Sequence, residues 1–369
     1  LFFGQVANEK NPKTRSLSIQ GIALLLRSFG HQVVAVKSIL PKMPQFLSEV
    51  NLAVKTQATE LMIELYRWLR DSITTIMDTW ELKPAQKKDI LSLFEKESNS
   101  PAPTPSRTVR SGKTIASAAV TTSGKSTKTA QQDEFDPMDL LEPQEVLSKI
   151  PKEFDSELAS AKWAERKKAL SDVFDIFARY PKPKPGDYYP LMSKLVLIVD
   201  NDKNTAVVKQ AIEVCEQLSK GLRSHFTYAH SIVPSLFQKF KDKKLIDAAS
   251  KAIDAIDQYS QPIEDFVDKI QPELDLKANA VSKHGVITLL DSCFSRKKHF
   301  HGQAHKAIAA KLTELSDDAN AGVREGALKL LGRLRWLGGD SAMSSMLSKL
   351  DKARLDKVTQ AFESFGPPP

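Results

Sequence analysis

The sequence predicts an all-α protein, a solenoid of antiparallel helix pairs, on three observations. Apolar side chains recur at spacings of three and four, period-two alternation is nearly absent, and short helices come in pairs that repeat. From Trp163 the apolar positions are Ala169, Leu170, Val173, Phe174 and Phe177. Val208, Ala211, Ile212, Cys215 and Leu218 follow, then Ile232, Val233, Leu236 and Phe237. Each set puts one apolar stripe on one helix. Pro190, Pro234 and Pro262 are read as lying near helix starts, where a missing N–H costs little.

The pairs repeat by a pattern. The first helix of each pair is read as opening on a polar or small turn, then an aliphatic residue with a cation close behind. Thr14-Arg15, Val54-Lys55, Val207 with Lys209, Val281 with Lys283, and Val323-Arg324 are the clearest cases. Neighbouring openings lie roughly 40 residues apart, the period of a HEAT-repeat α-solenoid. One pair cannot bury its own stripe, whereas stacked pairs bury a continuous core. From Glu142 to about Phe365 there is room for five pairs and a closing helix. Residues 1–97 hold about two pairs and a terminal helix.

Composition separates these two parts. Residues 98–132 are rich in Ser, Thr, Ala and Pro and contain no Asp or Glu. They carry Arg107, Arg110, Lys113, Lys125 and Lys128 and no aromatic residue. Too little apolar surface is available there to offset chain entropy, so a disordered cationic tether is expected. It is either a plain spacer or a diffuse contact for an acidic surface, and the lack of acidic residues favours the second. The expected organisation is therefore a solenoid part truncated at its N-terminus over 1–97, a linker over 98–134, and a complete solenoid over 135–366. The chain opens on Leu1-Phe2-Phe3 and is expected to be a piece of something longer.

The 369 residues are 41% hydrophobic and 27% charged, enough for two cores. No uncharged apolar run approaches the roughly 18 residues needed to span a bilayer, and a soluble protein is expected. Cys215 and Cys293, both on apolar stretches, are read as buried thiols in a reducing compartment. The net charge of +8 fits an acidic polymer as partner: nucleic acid, anionic membrane or a filament with acidic tails.

Catalytic and cofactor chemistry is not found. Ser111-Gly112-Lys113-Thr114 and Ser123-Gly124-Lys125-Ser126 resemble the end of a phosphate-binding loop, but Arg107 and Ala119 stand where its first glycine is needed. His299, His301 and His305 are the best metal candidates, with His301 and His305 on one helical face. No cysteine or carboxylate completes the set, and Arg296, Lys297 and Lys298 would repel a cation, so a solvated basic loop is the preferred reading. No enzyme activity, metal or cofactor is expected.

Function is expected at the turns within each pair, which line up along one edge of a solenoid. In the complete domain these turns are cationic. The first is Ala161-Lys162-Trp163-Ala164-Glu165-Arg166-Lys167-Lys168, and the second Asp202-Lys203-Asn204-Thr205. The third is Lys239-Phe240-Lys241-Asp242-Lys243-Lys244, the fourth contains Lys277 and Lys283, and the fifth carries Arg324. A tryptophan more often packs into a core, but Trp163 begins its helix between Lys162 and Arg166, where core packing is awkward. Aromatic plus arginine is the usual make-up of an interface hot spot. A basic edge with one aromatic anchor points to a protein with an acidic rim; nucleic-acid readers more often interleave several aromatics with their cations.

These residues carry a resemblance. Residues 136–177, from Asp-Pro-Met-Asp-Leu-Leu through Lys162-Trp163-Ala164-Glu165-Arg166-Lys167-Lys168-Ala169-Leu170, resemble the start of a TOG domain of the ch-TOG/Minispindles microtubule polymerases. Gln238-Lys239-Phe240-Lys241-Asp242-Lys243-Lys244 is similar to that family's third turn. Lys10-Asn11-Pro12-Lys13-Thr14 and Ile63 to Asp71 resemble the last two repeats of its first TOG domain. The resemblance implies a paddle whose turn edge grips a curved αβ-tubulin dimer, with tandem domains and a basic linker delivering tubulin to microtubule plus ends and spindles. It places Trp163 against β-tubulin, with Arg166, Lys203, Asn204, Lys241, Lys243 and Lys244 beside it. Lys283 and Arg324 are then directed towards α-tubulin, and Lys13 and Lys55 hold the equivalent turns of the first domain. Centrosomal or plus-end proteins are further implied partners; nucleic acid and membrane are not. There are departures: Thr205-Ala206 replaces Asn-Val, the fourth turn reads Ala278-Asn279 without Asn-Pro, and Ser282 stands where lysine is expected. The expectation is that the Trp163 end dominates affinity.

Overall fold

The computed structural model describes residues 6, 9–31, 33–98, 100, 103–107, 137–300 and 302–367, which form two compact units divided between Glu142 and Pro143. Arg110, Lys113, Lys125 and Lys128 of the expected tether lie outside the described residues, as does His301. No strand occurs among the described residues; an isolated bridge joins Gln144 to Pro183.

Unit 1 contains α1 (Pro12–Phe29), α2 (Met43–Leu47), α3 (Leu52–Leu69), α4 (Asp71–Asp78) and α5 (Pro84–Glu97), with a broken helical turn over Val36–Lys42 before α2. Asn11 and Asn51 cap α1 and α3 by accepting backbone N–H bonds, and Pro12 and Pro84 sit where the N–H has no helical partner. Ile19, Ile22, Leu26, Leu61, Leu65, Ile73 and Met77 form its core, which also takes in Leu140. Glu64 is buried within this unit and is compensated by Arg27, Arg67 and the Trp68 ring N–H. Residue 107, counted with the linker on composition, donates its backbone N–H to Ser28 O at 2.9 Å.

Unit 2 stacks six pairs among the described residues. They are α6 (Phe154–Leu158) with α7 (Trp163–Arg179), α8 (Tyr189–Asn201) with α9 (Thr205–Leu222), and α10 (Ala229–Gln238) with α11 (Ile246–Tyr259). Then come α12 (Val267–Glu273) with α13 (Ala280–Ser295), α14 (Gln303–Leu315) with α15 (Ala321–Gly338), and α16 (Asp340–Leu347) with α17 (Lys352–Ser364). One continuous core runs from Val146 to Val358. Inner helices are buried from several sides: twelve of the 18 residues of α9 are buried, against four of 18 in α1 of unit 1.

Three expectations need correction. The segment read as one closing helix is two, α16 and α17, which part at residues 348–351, where the Asp351 side chain caps α17 by accepting the Arg354 N–H. Pro234 lies inside α10 rather than at its start; the upstream residues Ala229, Ile232 and Val233 are all buried, so packing extends the helix ahead of the proline. The aliphatic-plus-cation openings begin the second helix of each pair, after the turn, not the first.

Candidate functional site

The second to fifth turns of unit 2 are built by the same local chemistry. In the second turn the Asp202 carboxylate accepts the Asn204 N–H at 2.8 Å, and the Asn204 side chain in turn caps α9. The third turn repeats this with Asp242 and the Lys244 N–H at 2.9 Å, the fourth with Asp275 and the Lys277 N–H at 3.0 Å, and the fifth with Asp318 and the Asn320 N–H at 2.8 Å. An aspartate that bonds the N–H two residues on closes a tight Asx-type turn. The middle residue is pushed outward: Lys203, Lys243, Leu276 and Ala319 occupy that apex, and all four are exposed.

A second device ties neighbouring turns together. Arg166, on the first turn of α7, donates to the carbonyls of Ser160 and Ala161 behind it and forks onto both Asp202 oxygens at 2.7 and 3.1 Å. Lys283 on α13 donates to Leu276 O at 2.9 Å and pairs with Asp318, and both charged side chains are about 95% buried. Arg324 donates to Asp318 O at 2.6 Å and Ala319 O at 2.9 Å. In unit 1, Arg15 reaches Glu9 O and Glu49 in the same way, and the Glu9 carboxylate accepts the Asn11 N–H.

The electrostatics follow from these bonds. Burial alone would raise the Asp202 carboxyl, but the bonds from Arg166 and the Asn204 N–H outweigh it and hold the pKa below its ordinary value. Asp318 behaves alike: burial opposes, while Lys283 and the Asn320 N–H prevail, and its pKa is lowered.

The residues expected at a partner surface thus divide. Trp163 is half exposed at the first position of α7. Lys203, Lys241, Lys243 and Lys244 are exposed and make no ion pair among the described residues. Lys203 and Lys241 line one shallow depression between the second and third turns, together with Asp202, Lys239 and Asp242. Lys13 and Lys55 are exposed in unit 1. Arg166, Lys283 and, in part, Arg324 are instead engaged by their own turns, and Asn204 spends its side-chain oxygen on the α9 cap. Charge type alone could not distinguish a cation aimed outward from one folded back. The Asp-x-Asn spacing at 202–204 and 318–320 was the available signal.

The two described histidine candidates have unlike surroundings. His305 is fully buried, its Nε2 lies 3.0 Å from Leu334 O, and its ring meets Phe300 edge-on; it is a core residue, not part of a solvated loop. His299 is exposed. Arg296 and Lys297 are committed to Asp254, Asp257 and Glu264. Both cysteine thiols are buried, and burial raises each pKa, to about 12 for Cys215.

The sequence profile of the XMAP215/Dis1/CLASP TOG domain matches residues 3–94. A solved structure from work on microtubule plus-end tracking by XMAP215, CLIP-170 and EB1 is 30% identical, superposes with a TM-score of 0.57, and is 95% covered by 62% of this chain. The chain belongs to the TOG-domain family. Its TOG relatives include the Protein mini spindles of Drosophila melanogaster, 30% identical over 364 residues, which span 96% of this chain and 18% of that protein. The spindle pole body component alp14 of Schizosaccharomyces pombe is 28% identical over 372 residues, 96% of this chain and 44% of its own length. The chain therefore spans less than half of these relatives. A TOG-array structure at 20% identity, TM-score 0.56, covers 98% of this chain and 74% of its own and supports the helix-pair fold.

Proposed function

We propose that this chain binds αβ-tubulin dimers through the turn edge of its TOG units, without catalysis, and so promotes microtubule growth at plus ends and spindles. The observation that carries the proposal is Trp163: a large aromatic standing half exposed at the first turn, where a core tryptophan would be buried. It heads an edge on which Lys203, Lys241, Lys243 and Lys244 are exposed. An aromatic anchor beside desolvatable cations is the make-up of a hot spot for an acidic protein surface. Relatives named for microtubule plus ends, spindles and spindle poles supply the partner class and the cytoskeletal location. Residues 143–366 then act as one complete tubulin-binding domain, with 1–97 and 137–142 part of another and 98–134 a basic linker. Lys13 and Lys55 serve the first unit. Arg166, Asn204 and Lys283 act by holding the turns in shape, and Arg324 does so in part.

The test is co-elution with purified tubulin at low micromolar concentration. Trp163→Ala should weaken retention tenfold or more at unchanged melting temperature. A chain that ignores tubulin but shifts RNA or DNA would overturn the proposal. Salt weakens either complex and decides nothing by itself.

A further inference from the structure

The chain does not leave unit 1 freely after α5. Arg67 forks onto both Glu97 carboxylate oxygens at 2.9 Å, and Arg70 donates to the carbonyls of Glu97 and Ser100. Further on, the Arg107 N–H donates to Ser28 O, and Pro105 stands against Gly30 at the end of α1. Gly30 sits at φ +77°, and a Cβ there would lie 3.3 Å from the Pro105 Cγ and 3.1 Å from two Trp68 ring carbons. So close an approach suits a residue without a side chain. Arg70 is the more telling residue. It is one of two non-glycine residues with positive φ among the described residues, at +47°, a conformation that strains any side chain. Glycine would adopt it more easily, but the arginine uses its side chain to hold the departing chain. Residues that composition assigns to a tether are thus strapped to unit 1 at Glu97, Ser100, Pro105 and Arg107.

The strap carries chemistry that the turn edge does not use. Of the 20 prolines, only Pro101 and Pro105 follow a serine or threonine. Ser100 spends its carbonyl on Arg70 and its hydroxyl on Glu97 at 3.2 Å, and Pro103 rather than a cation stands three places on. Thr104 is exposed and is followed by Pro105, Ser106 and Arg107. A hydroxyl before proline suits a kinase cleft that has no acceptor for the next N–H, and a cation three places on suits an anionic site beyond it. We infer that Thr104 is a phosphorylation site for a proline-directed kinase, open only when the strap leaves unit 1. Such a kinase takes 104–107 as a free extended segment, so Pro105 and the Arg107 N–H cannot stay on Gly30 and Ser28. The Thr104 hydroxyl oxygen attacks the γ-phosphorus of ATP, its proton passes to the kinase's base, and ADP leaves as the bond to the γ-phosphoryl group breaks. The product adds about two negative charges to a stretch, 98–132, that has five cations and no acidic residue. Nothing in this inference depends on tubulin.

The test uses the full chain, a cyclin-dependent kinase and ATP, with the modified residue mapped by mass spectrometry. Phosphate is expected on Thr104 and not on Ser100, and Thr104→Ala should remove it. Arg70→Gly frees the strap without touching the motif, and unit 1 should stay folded because glycine takes the positive φ without strain. This variant should be phosphorylated about fivefold faster or more, the effect of losing one or two hydrogen bonds. The Arg107 amide should exchange its hydrogen slowly in the unmodified chain and lose that protection in Arg70→Gly. No phosphate on Thr104 in either chain, or equal rates in the two, would overturn the inference. So would an Arg107 amide that exchanges freely in the unmodified chain, a reading that needs no variant.

Discussion

At the residue scale, the turn cations are placed in two different ways, exposed or folded back, and the Lys283–Asp318 pair shows the second. Both charges are about 95% buried, and Lys283 also satisfies Leu276 O. Lys283→Met removes one partner and leaves a buried carboxylate unpaired, which costs about 3–5 kcal/mol. Thermal or urea unfolding should show that loss before any tubulin is added, whereas Lys243→Met should leave stability within about 0.5 kcal/mol. The sign of the pH effect follows from the same bonds. Asp202 and Asp318 titrate below the ordinary value of 3.8 in the folded state, so the stability they add is present above that pH. It is lost as pH falls through the folded values. The melting temperature should therefore drop on acidification below about pH 4, and Asp202→Asn should flatten that limb while lowering stability at neutral pH. The sequence made Trp163 legible, because an aromatic at the first position of a helix between two cations is awkward for a core. It could not tell Lys283 from Lys243, since both are lysines near turns and only the fold decides which one meets an aspartate about 35 positions later.

At the scale of elements, spacing and caps were the readable part. Stripes at intervals of three and four located α7, α9 and α10, and the Asn caps at 51, 204, 279 and 320 mark where second helices begin. Asn204→Ala should remove the two N–H bonds its side chain accepts and cost about 1 kcal/mol, read as a shift in the denaturation midpoint. Packing between helices was not readable, and Gly332 shows why. A Cβ added there would lie 2.7 Å from the Ala361 Cβ and 2.9 Å from both Phe362 N and Val358 O. The two latter atoms are backbone, so α17 itself must move away from α15. Gly332→Ala, which would ordinarily favour a helix, should instead destabilise by about 1–3 kcal/mol in equilibrium unfolding. In sequence this glycine looks like a weak point in a helix; in the fold it is the close approach of the last pair.

At the scale of the whole molecule, the division into two units has a consequence for where the chain can be cut. Composition placed the second domain's start at residue 135, from the change in charge and apolar content. Leu140 is 5% exposed and belongs to the first unit's core, whereas Val146 is 1% exposed and belongs to the second. Composition marks where apolar residues resume but not which core they join, because either core could bury a leucine. A fragment of residues 143–369 keeps all of the second core, from Val146 and Phe154 to Val358. It should fold alone and melt in one cooperative transition that coincides by far-UV and near-UV circular dichroism. A fragment ending at residue 134 loses the Leu140 contact, an apolar burial worth about 1.5–3 kcal/mol, and should unfold at lower denaturant than one ending at residue 142. Equal midpoints for those two fragments would show that 137–142 adds nothing to the first unit.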